Sequence, residues 1–295
     1  MPTTLRTSHP YITSSSKGRT RDFESLNVGS TPAEVTMNII NFSGGRTSAY
    51  MTKRLIDEGL TDYKIVFQNT GKEAEETLIF IDRCSKEWGL TIEWIEYDII
   101  EGDKTKGTFK KVSFETASRK GEPFEKAINY NKGFLPSNFQ RYCTKFLKLK
   151  TLKYYLKSIG VKYYTNYIGI RYDELDRVAK IKASDRFVKE ELELPLYKWK
   201  ITKAEVLDWW KQQPFDLNIT PLYGNCDGCF LKGKGKLLQI AREKPELLDW
   251  WAEMEELTGK QFRKEISYRQ ILEKVKSQPD LWSDDPGFNC FCNID

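Results

Sequence analysis

Residues 35–42 have the sequence VTMNIINF, and SGGRTS follows at once at residues 43–48. The first part is a short apolar run, which predicts a buried strand. The second part holds two glycines and three hydroxyl side chains, and helix-forming residues follow it. A strand that turns through glycines into a helix exposes backbone N–H groups that can hold an anion. The stretch therefore predicts a phosphate-binding loop at residues 43–48.

The alternation of strands and helices continues downstream of this loop. Helices are predicted at residues 45–59 and 73–89, each ended by a glycine, and further strands at residues 63–70, 91–98 and 162–171. Short connections between alternating strands and helices imply right-handed crossovers and a parallel sheet with helices on both faces. We therefore predict an α/β fold, a Rossmann-like doubly wound parallel sheet, with a smaller helical C-terminal lobe.

Two segments depart from this rhythm. Residues 99–136 are rich in glycine and charge, which predicts a long loop that serves as a lid or a mobile segment. Residues 137–160 predict a long basic helix capped by Ser137 and ended by Gly160. The predicted domains are a flexible leader at residues 1–34, a nucleotide-binding α/β domain at 35–191 and a helical, cysteine-containing lobe at 192–295. For the basic, Ser/Thr-rich leader, an organelle transit peptide is the alternative.

The composition limits the classes of function. The chain has 295 residues, 39% hydrophobic and 30% charged, with a net charge of +5. No apolar run approaches the length of a membrane span, so we expect a soluble, cytoplasmic protein without a membrane partner. His9 is the only histidine. Its isolation in a polar segment argues against Ser-His-Asp and Cys-His catalysis and against histidine-based zinc sites.

The cysteines predict soft-ligand chemistry. Two pairs are closely spaced, Cys226-x-x-Cys229 and Cys290-x-Cys292, and Cys143 and Cys84 stand alone. No secretory signal precedes them, so a reducing compartment is expected. Thiolates without histidine suit an iron–sulfur cluster or a four-thiolate zinc site, and free thiols or a redox disulfide are the further alternative. Cys84 lies among apolar helix neighbours, which predicts a core residue.

Five motifs, in order along the chain, resemble a known family. SGGRTS resembles the pyrophosphate loop of the adenine-nucleotide alpha-hydrolases, and the chain is most similar to the phosphoadenosine phosphosulfate (PAPS) reductase family within that group. The other motifs are FQNTGKEAEET at 67–77, RYCTKFLK at 141–148, GIRYDELDR at 169–177, and PLYKW at 195–199 with DWW at 208–210. Two residues depart from the family pattern: Thr47 replaces a frequent Asp, and Tyr142 replaces a second cysteine.

The resemblance implies a role for each matching residue. The phosphate loop would consist of Ser43, Gly44, Gly45, Arg46, Thr47 and Ser48. Thr70 and Gly71 would line the adjoining nucleotide pocket. The cations expected to meet phosphate or sulfate oxygens are Arg141, Lys148, Arg171 and Arg177. Asp173 is expected beside Arg171 in the catalytic set, and with Glu174 it could help hold Mg²⁺. The alternatives are a solvated Lys148 and a surface ion pair for Arg177.

The resemblance also favours iron over zinc, because the cysteine spacing alone does not separate them. It implies a [4Fe-4S] cluster on Cys143, Cys226, Cys229 and one tail cysteine, which we assign to Cys290. Cys292 would then be a mobile nucleophile that attacks a sulfonyl sulfur. The two tail cysteines could exchange these roles.

The resemblance implies an enzyme of sulfur transfer or reduction that binds ATP or PAPS. The first hypothesis is reduction of an adenylyl sulfate by a thiolate, completed by a thioredoxin-like donor. The alternative is an ATP pyrophosphatase that activates a nucleic acid or nucleobase for sulfur insertion, with a cysteine desulfurase as sulfur source. The intact loop favours ATP, because a phosphosulfate lacks a free β,γ-pyrophosphate. A nucleotide sensor without turnover is the third alternative, and a homodimer stays open.

Overall fold

The chain is described from a computed structural model, which covers residues 36–182, 190–220, 222–224 and 226–277. These residues form one six-stranded sheet in the order β4-β3-β2-β1-β5-β6. The strands are β1 (Thr36–Asn41), β2 (Tyr63–Asn69), β3 (Ile92–Ile100), β4 (Asp103–Val112), β5 (Tyr163–Ile168) and β6 (Glu190–Glu193). All neighbouring pairs are parallel except β3 and β4. The predicted α/β fold class is confirmed.

Helices connect and cover the strands. They are α1 (Arg46–Asp57), α2 (Glu75–Trp88), α3 (Glu122–Tyr130), a π-helical segment (Thr144–Lys150) that continues into α4 (Thr151–Ser158), α5 (Leu175–Lys182), α6 (Pro195–Lys198), α7 (Lys203–Trp210), α8 (Lys234–Glu243), α9 (Glu246–Thr258) and α10 (Tyr268–Ser277). The first two helices end as predicted, since Gly59 and Gly89 take positive φ angles of 90° and 64°.

The sheet is covered on both faces, as the sequence predicts. Ile40, Phe67 and Trp94 belong to a buried cluster that also contains residues of α1, α2 and α7. Their strand neighbours Ile39, Val66 and Ile95 belong to a second cluster, with residues of α4. Successive side chains of a strand point to opposite faces, so one apolar run supplies both layers.

The prediction of a lid at residues 99–136 is wrong for much of that segment. Residues 103–112 form β4, which pairs antiparallel with β3 as an edge strand, and α3 follows. Lys110 forms an ion pair with the buried Glu96 (Nζ–Oε2 2.9 Å), and Lys111 pairs with Glu93 (2.8 Å). Lysines are common on edge strands, where they prevent further pairing. The charged lysines of β4 obscure the alternation of apolar and polar residues that would predict a strand.

The long basic helix is also shorter than predicted. Helical structure begins at Tyr142, whereas Ser137 lies in a turn in which its Oγ accepts a hydrogen bond from Gln140 N (3.3 Å). The π-helical segment follows, and Thr151 Oγ1 donates to the Phe146 carbonyl five residues back (2.9 Å). The predicted end is confirmed, because Gly160 has a φ of +75°.

The C-terminal helices join two different cores. Residues of α6 and α7 pack in the cluster of α1 and α2, whereas residues of α8, α9 and α10 pack with α3 and the π-helical segment. The domain boundary at residue 192 stays a prediction, and the leader at residues 1–34 lies outside the described residues. Over the described ranges, every helix is too short or too polar to cross a membrane.

Candidate nucleotide-binding site

The predicted phosphate loop lies where the direction of strand order reverses. From β1 the chain passes through α1 to β2 on one side, whereas β5 lies on the other side of β1. In open α/β sheets, ligands bind in the crevice at the carboxyl ends of the strands that flank such a point. The segment after β5 approaches the loop closely, since a Cβ on Gly169 would lie 3.2 Å from Ser48 Cα. Two predicted motifs therefore meet at the carboxyl ends of β1 and β5.

The loop itself is tied from within. Gly44 has a φ of +83°, and a Cβ there would lie 2.6 Å from Thr77 Cγ2. Ser48 Oγ accepts hydrogen bonds from Ser43 N (3.1 Å) and Ser43 Oγ (3.0 Å) and donates to the Gly45 carbonyl (3.0 Å). Gly45, the first residue before α1, provides no side-chain cap. The first turn of α1 therefore starts with N–H groups that no capping side chain covers, which suits an anion.

A buried arginine adjoins the loop. Arg171 is only 3% exposed, and its Nη1 donates to Thr47 Oγ1 (3.1 Å). Its Nε donates to Asp173 Oδ1 (3.0 Å), and its backbone N donates to Glu174 Oε2 (3.0 Å). Thr47 thus takes a hydrogen bond from a cation at the position where the resembled family often has a carboxylate.

The carboxylates of this segment are engaged by cations and amides. Glu174 forms an ion pair with Arg177, which is the ion-pair alternative considered for that arginine. Asp173 Oδ2 accepts from Lys203 N (3.4 Å) in addition to its contact with Arg171. Both side chains are therefore occupied by protein donors, and they do not fit a ready-made Mg²⁺ site.

The guanidinium of Arg46 points to a distant partner. Its Nε and Nη2 donate to the two carboxylate oxygens of Asp216 (2.7 and 2.8 Å), and the Arg46 carbonyl accepts from Trp210 Nε1 (3.0 Å). The side chain thus anchors the start of α1 to the segment after α7. Sequence reasoning missed this pair because Asp216 belongs to no recognisable motif.

The tip of β2 forms a second wall of hydrogen-bonded residues. Thr70 N and Oγ1 both donate to Glu73 Oε2 (2.8 Å each), and Gly71 N donates to Asn69 Oδ1 (3.1 Å). Burial raises the pKa of Glu73, opposed by the charge of Lys148 and by the Thr70 hydrogen bonds. Lys148 is half-buried on the π-helical segment. Its charge therefore acts beside the residues predicted to line the pocket.

The loop with Cys226 and Cys229 is fixed to the same tip. Cys226 pairs with Glu73 in an isolated antiparallel bridge. Lys72 Nζ lies 2.8 Å from Asp227 Oδ2, and the two side chains are 7% and 9% exposed. Asp227 Oδ1 accepts from Trp251 Nε1 (2.8 Å), which links the loop to α9. Sequence reasoning missed this ion pair, although Lys72 follows the Thr-Gly pair and Asp227 stands between the two cysteines.

The described cysteines do not by themselves complete a metal site. Cys143 and Cys226 are half-buried, and Cys229 is buried. Within the described ranges, no group of three or more His, Cys, Asp or Glu side chains is arranged to hold a metal ion. Cys290 and Cys292 lie outside those ranges, so the [4Fe-4S] cluster and the zinc site both stay predictions. Cys84 is fully buried and burial raises its pKa, which confirms it as a core residue.

The chain was compared with family models, with solved structures and with curated proteins. No family model matches the chain. Among solved structures, the U34-tRNA thiolase NcsA from Methanococcus maripaludis with its [4Fe-4S] cluster covers 88% of this chain and 79% of its own, at 14% identity and a TM-score of 0.36. That likeness is too weak to support an inference about this chain.

A curated relative is much closer in sequence. The uncharacterized nin region protein ORF290 of Escherichia phage lambda is 32% identical over 247 residues, which cover 79% of this chain and 81% of the relative. The match therefore spans most of both proteins rather than one motif. The chain belongs to the family of this phage lambda nin region protein.

Proposed function

We propose that this chain is an ATP pyrophosphatase that binds ATP across the ends of β1 and β5. The observation that carries the proposal is the start of α1, where glycines precede a helix without a side-chain cap, beside the buried Arg171. Backbone N–H groups, the helix dipole and one guanidinium together suit a triphosphate. The position at the sheet's switch point adds independent support.

In the proposed reaction, negative charge develops on the pyrophosphate that leaves. An acceptor oxygen attacks the α-phosphorus of ATP, the bond between that phosphorus and the bridging oxygen breaks, and pyrophosphate leaves. Arg171 and the N–H groups after Gly45 stabilise the negative charge on the departing pyrophosphate. Thr47 holds the guanidinium through its hydroxyl, so Arg171 is placed before the substrate arrives.

The product of this step is an adenylated acceptor, which a sulfur nucleophile could convert with release of AMP. We propose this sulfur insertion as the purpose of the activation, with a cysteine desulfurase or another persulfide donor as the external source. Support comes from the position of Cys226, which pairs with Glu73 beside Thr70. The [4Fe-4S] cluster stays a prediction, and no step of this reaction is assigned to it.

The second candidate is reduction of an adenylyl sulfate such as PAPS. The same backbone bridge between Cys226 and Glu73 favours it, because it holds the loop that carries Cys226 and Cys229 beside the tip of β2. In that reaction a thiolate attacks the sulfonyl sulfur, adenosine bisphosphate leaves, and a thioredoxin-like donor releases sulfite. The phosphate loop fits this substrate less well, since a phosphosulfate has no terminal pyrophosphate.

The two reactions give different products. Protein purified without oxygen is incubated with ATP labelled at the α-phosphorus, or with PAPS and a reduced thioredoxin, and iron and sulfide are measured on the same sample. Release of pyrophosphate with formation of AMP supports the pyrophosphatase, whereas sulfite supports the reductase. ATP binding without either product would favour the sensor alternative. Failure to bind either nucleotide would refute the proposed site.

A further inference from the structure

A strongly basic stretch runs beside the proposed nucleotide site. The sequence has no acidic residue between Glu125 and Asp173 and carries ten Lys or Arg side chains there, although the whole chain has a net charge of only +5. This stretch covers the turn after α3, the π-helical segment, α4 and β5. Positive charge concentrated in this way attracts polyanions.

Two aromatic rings protrude from the start of this stretch. Phe134 is 55% exposed and Phe139 is 82% exposed, which is unusual for so large an apolar side chain. The turn that carries them is held by hydrogen bonds: Phe134 N donates to the Asn131 carbonyl (3.1 Å), and the Tyr142 hydroxyl donates to the Phe134 carbonyl. The rings are therefore presented on an ordered backbone.

Cations lie directly over both rings. Lys260 Nζ is 3.7 Å from the centroid of the Phe134 ring, and Lys264 Nζ is 5.2 Å from that of Phe139. Arg141, two residues after Phe139, is exposed. In the part of the chain that the structure describes, no carboxylate forms an ion pair with Lys260, Lys264 or Arg141. These five residues, Phe134, Phe139, Arg141, Lys260 and Lys264, form the aromatic–basic surface.

The aromatic–basic surface leads toward the proposed nucleotide site. The π-helical segment starts three residues after Arg141 and carries Lys148, whose charge acts on Glu73 at the tip of β2. The same segment of chain therefore joins the aromatic–basic surface to the residues at the tip of β2.

We propose that the aromatic–basic surface binds single-stranded nucleic acid. Unpaired bases stack on Phe139 and Phe134, while Lys264, Lys260 and Arg141 contact the phosphates. Only a single strand offers free base faces to such rings, so duplexes are disfavoured. The proposed binding depends only on the aromatic–basic surface. The further role of that surface, to present the acceptor for adenylation, rests on the proposed function.

The test measures fluorescence anisotropy of labelled single-stranded RNA and DNA oligonucleotides, about 16 nucleotides long, on the full chain without ATP. Phe139→Ala and Phe134→Ala should each lower affinity about fivefold or more, with an unchanged salt slope, because stacking involves no counterion release. Lys264→Ala should instead lower the slope of log affinity against log salt by about 0.7. The RNA and DNA arms show which strand is preferred.

Two substitutions on other helices serve as matched controls. Ile79→Ala removes an apolar side chain that is 49% exposed on α2, and Lys211→Ala removes an exposed lysine after α7. Both should bind the oligonucleotides as the unchanged chain does. A hairpin duplex should bind more weakly than the single strands.

The proposal is overturned by equal binding of the Phe variants and the unchanged chain, by equal affinity for duplex, or by no binding at all. It is also overturned if Phe139→Ala abolishes self-association of the chain instead, which would make the surface a contact between copies. ATP affinity is measured on the same samples. If oligonucleotide binding is lost while ATP binding is intact, the result bears only on the aromatic–basic surface. If ATP binding is lost while oligonucleotide binding is intact, the result bears only on the proposed nucleotide site.

Discussion

Lys72 and Asp227 form a buried ion pair across 155 positions of sequence, with a Nζ–Oδ2 distance of 2.8 Å. Lys72 follows the Thr70-Gly71 turn at the tip of β2, and Asp227 stands between Cys226 and Cys229. The Lys72 ammonium also lies 5.1 Å from the Trp250 ring centroid. The pair therefore joins the wall of the proposed pocket to the cysteine loop and to α9.

Breaking this pair on one side should be strongly destabilising. Lys72→Met leaves the Asp227 carboxylate buried without its cation, which costs about 3–5 kcal/mol in comparable cases. The double variant Lys72→Met with Asp227→Asn should lose less than the sum of the single variants, because neither charge is then left unpaired. Urea unfolding measures all three free energies.

The matched control for this cycle is an exposed pair. Lys211 and Asp208 are 75% and 64% exposed, so Lys211→Met should change the free energy of unfolding by less than about 1 kcal/mol. Equal effects of Lys72→Met and Lys211→Met would contradict a structural role for the buried pair.

Gly44→Ala should distort the phosphate loop and weaken ATP binding. The residue has a positive φ, and the new Cβ would lie 2.6 Å from Thr77 Cγ2. A left-handed backbone alone costs a residue other than glycine about 1–2 kcal/mol, and the contact adds to that. Isothermal titration with ATP, together with thermal unfolding, measures both consequences.

Two variants separate the backbone strain at Gly44 from the steric contact. Gly59→Ala also adds a Cβ at positive φ, but with nothing within 4 Å, so it should affect stability and leave ATP binding unchanged. Thr77→Ser removes the obstructing methyl group and should restore part of the affinity of Gly44→Ala. Normal ATP binding by Gly44→Ala would argue against the loop as the phosphate site.

Arg171→Ala should lower ATP affinity by about tenfold or more, since a hydrogen bond to a charged group contributes about 1.5–3 kcal/mol. Arg171→Lys should recover little, because a point charge replaces the guanidinium that reaches Thr47 and Asp173 together. Arg177→Ala should change affinity much less, because that side chain is paired with Glu174. Fluorescent ATP-analogue titrations compare the three, and a larger loss at Arg177 would reverse this assignment.

Glu73→Gln should stabilise the protein at high pH more than at low pH. Burial raises the pKa of Glu73 in the folded state, so the stability contributed by the protonated acid is lost as pH rises through that raised value. Glutamine keeps an oxygen that can accept from Thr70 and carries no charge to bury. Urea unfolding at pH 5 and pH 8 measures the difference.

Glu205→Gln provides a control of opposite sign. Hydrogen bonds from Thr202 lower the pKa of Glu205, so its contribution is present above the unfolded pKa and is lost on acidification. This variant should be destabilising at pH 8 and nearly neutral in acid. The same trend in both variants would mean that burial does not control the titration of Glu73.

Local sequence patterns predicted four of the six strands, β1, β2, β3 and β5, and the turn after β1 that forms the candidate site. Each predicted parallel strand is a short apolar run between glycine-ended helices, and the period-2 alternation of residues such as Ile39 and Ile40 supplies both faces. Such signals are local, so they can be recognised without knowing what packs against them. The edge strand β4 was not predicted, because the partners of its lysines, Glu93 and Glu96, lie on another strand.

The contacts of the polar residues in the site depend on how the chain folds. Arg46 belongs to the predicted phosphate loop, yet its guanidinium pairs with Asp216, and Lys72 pairs with Asp227. Neither partner is near in sequence. A long charged side chain has many rotamers, and its choice depends on which carboxylate the folded chain brings within reach and shields from water. That choice is a property of packing, which no local pattern of residues encodes.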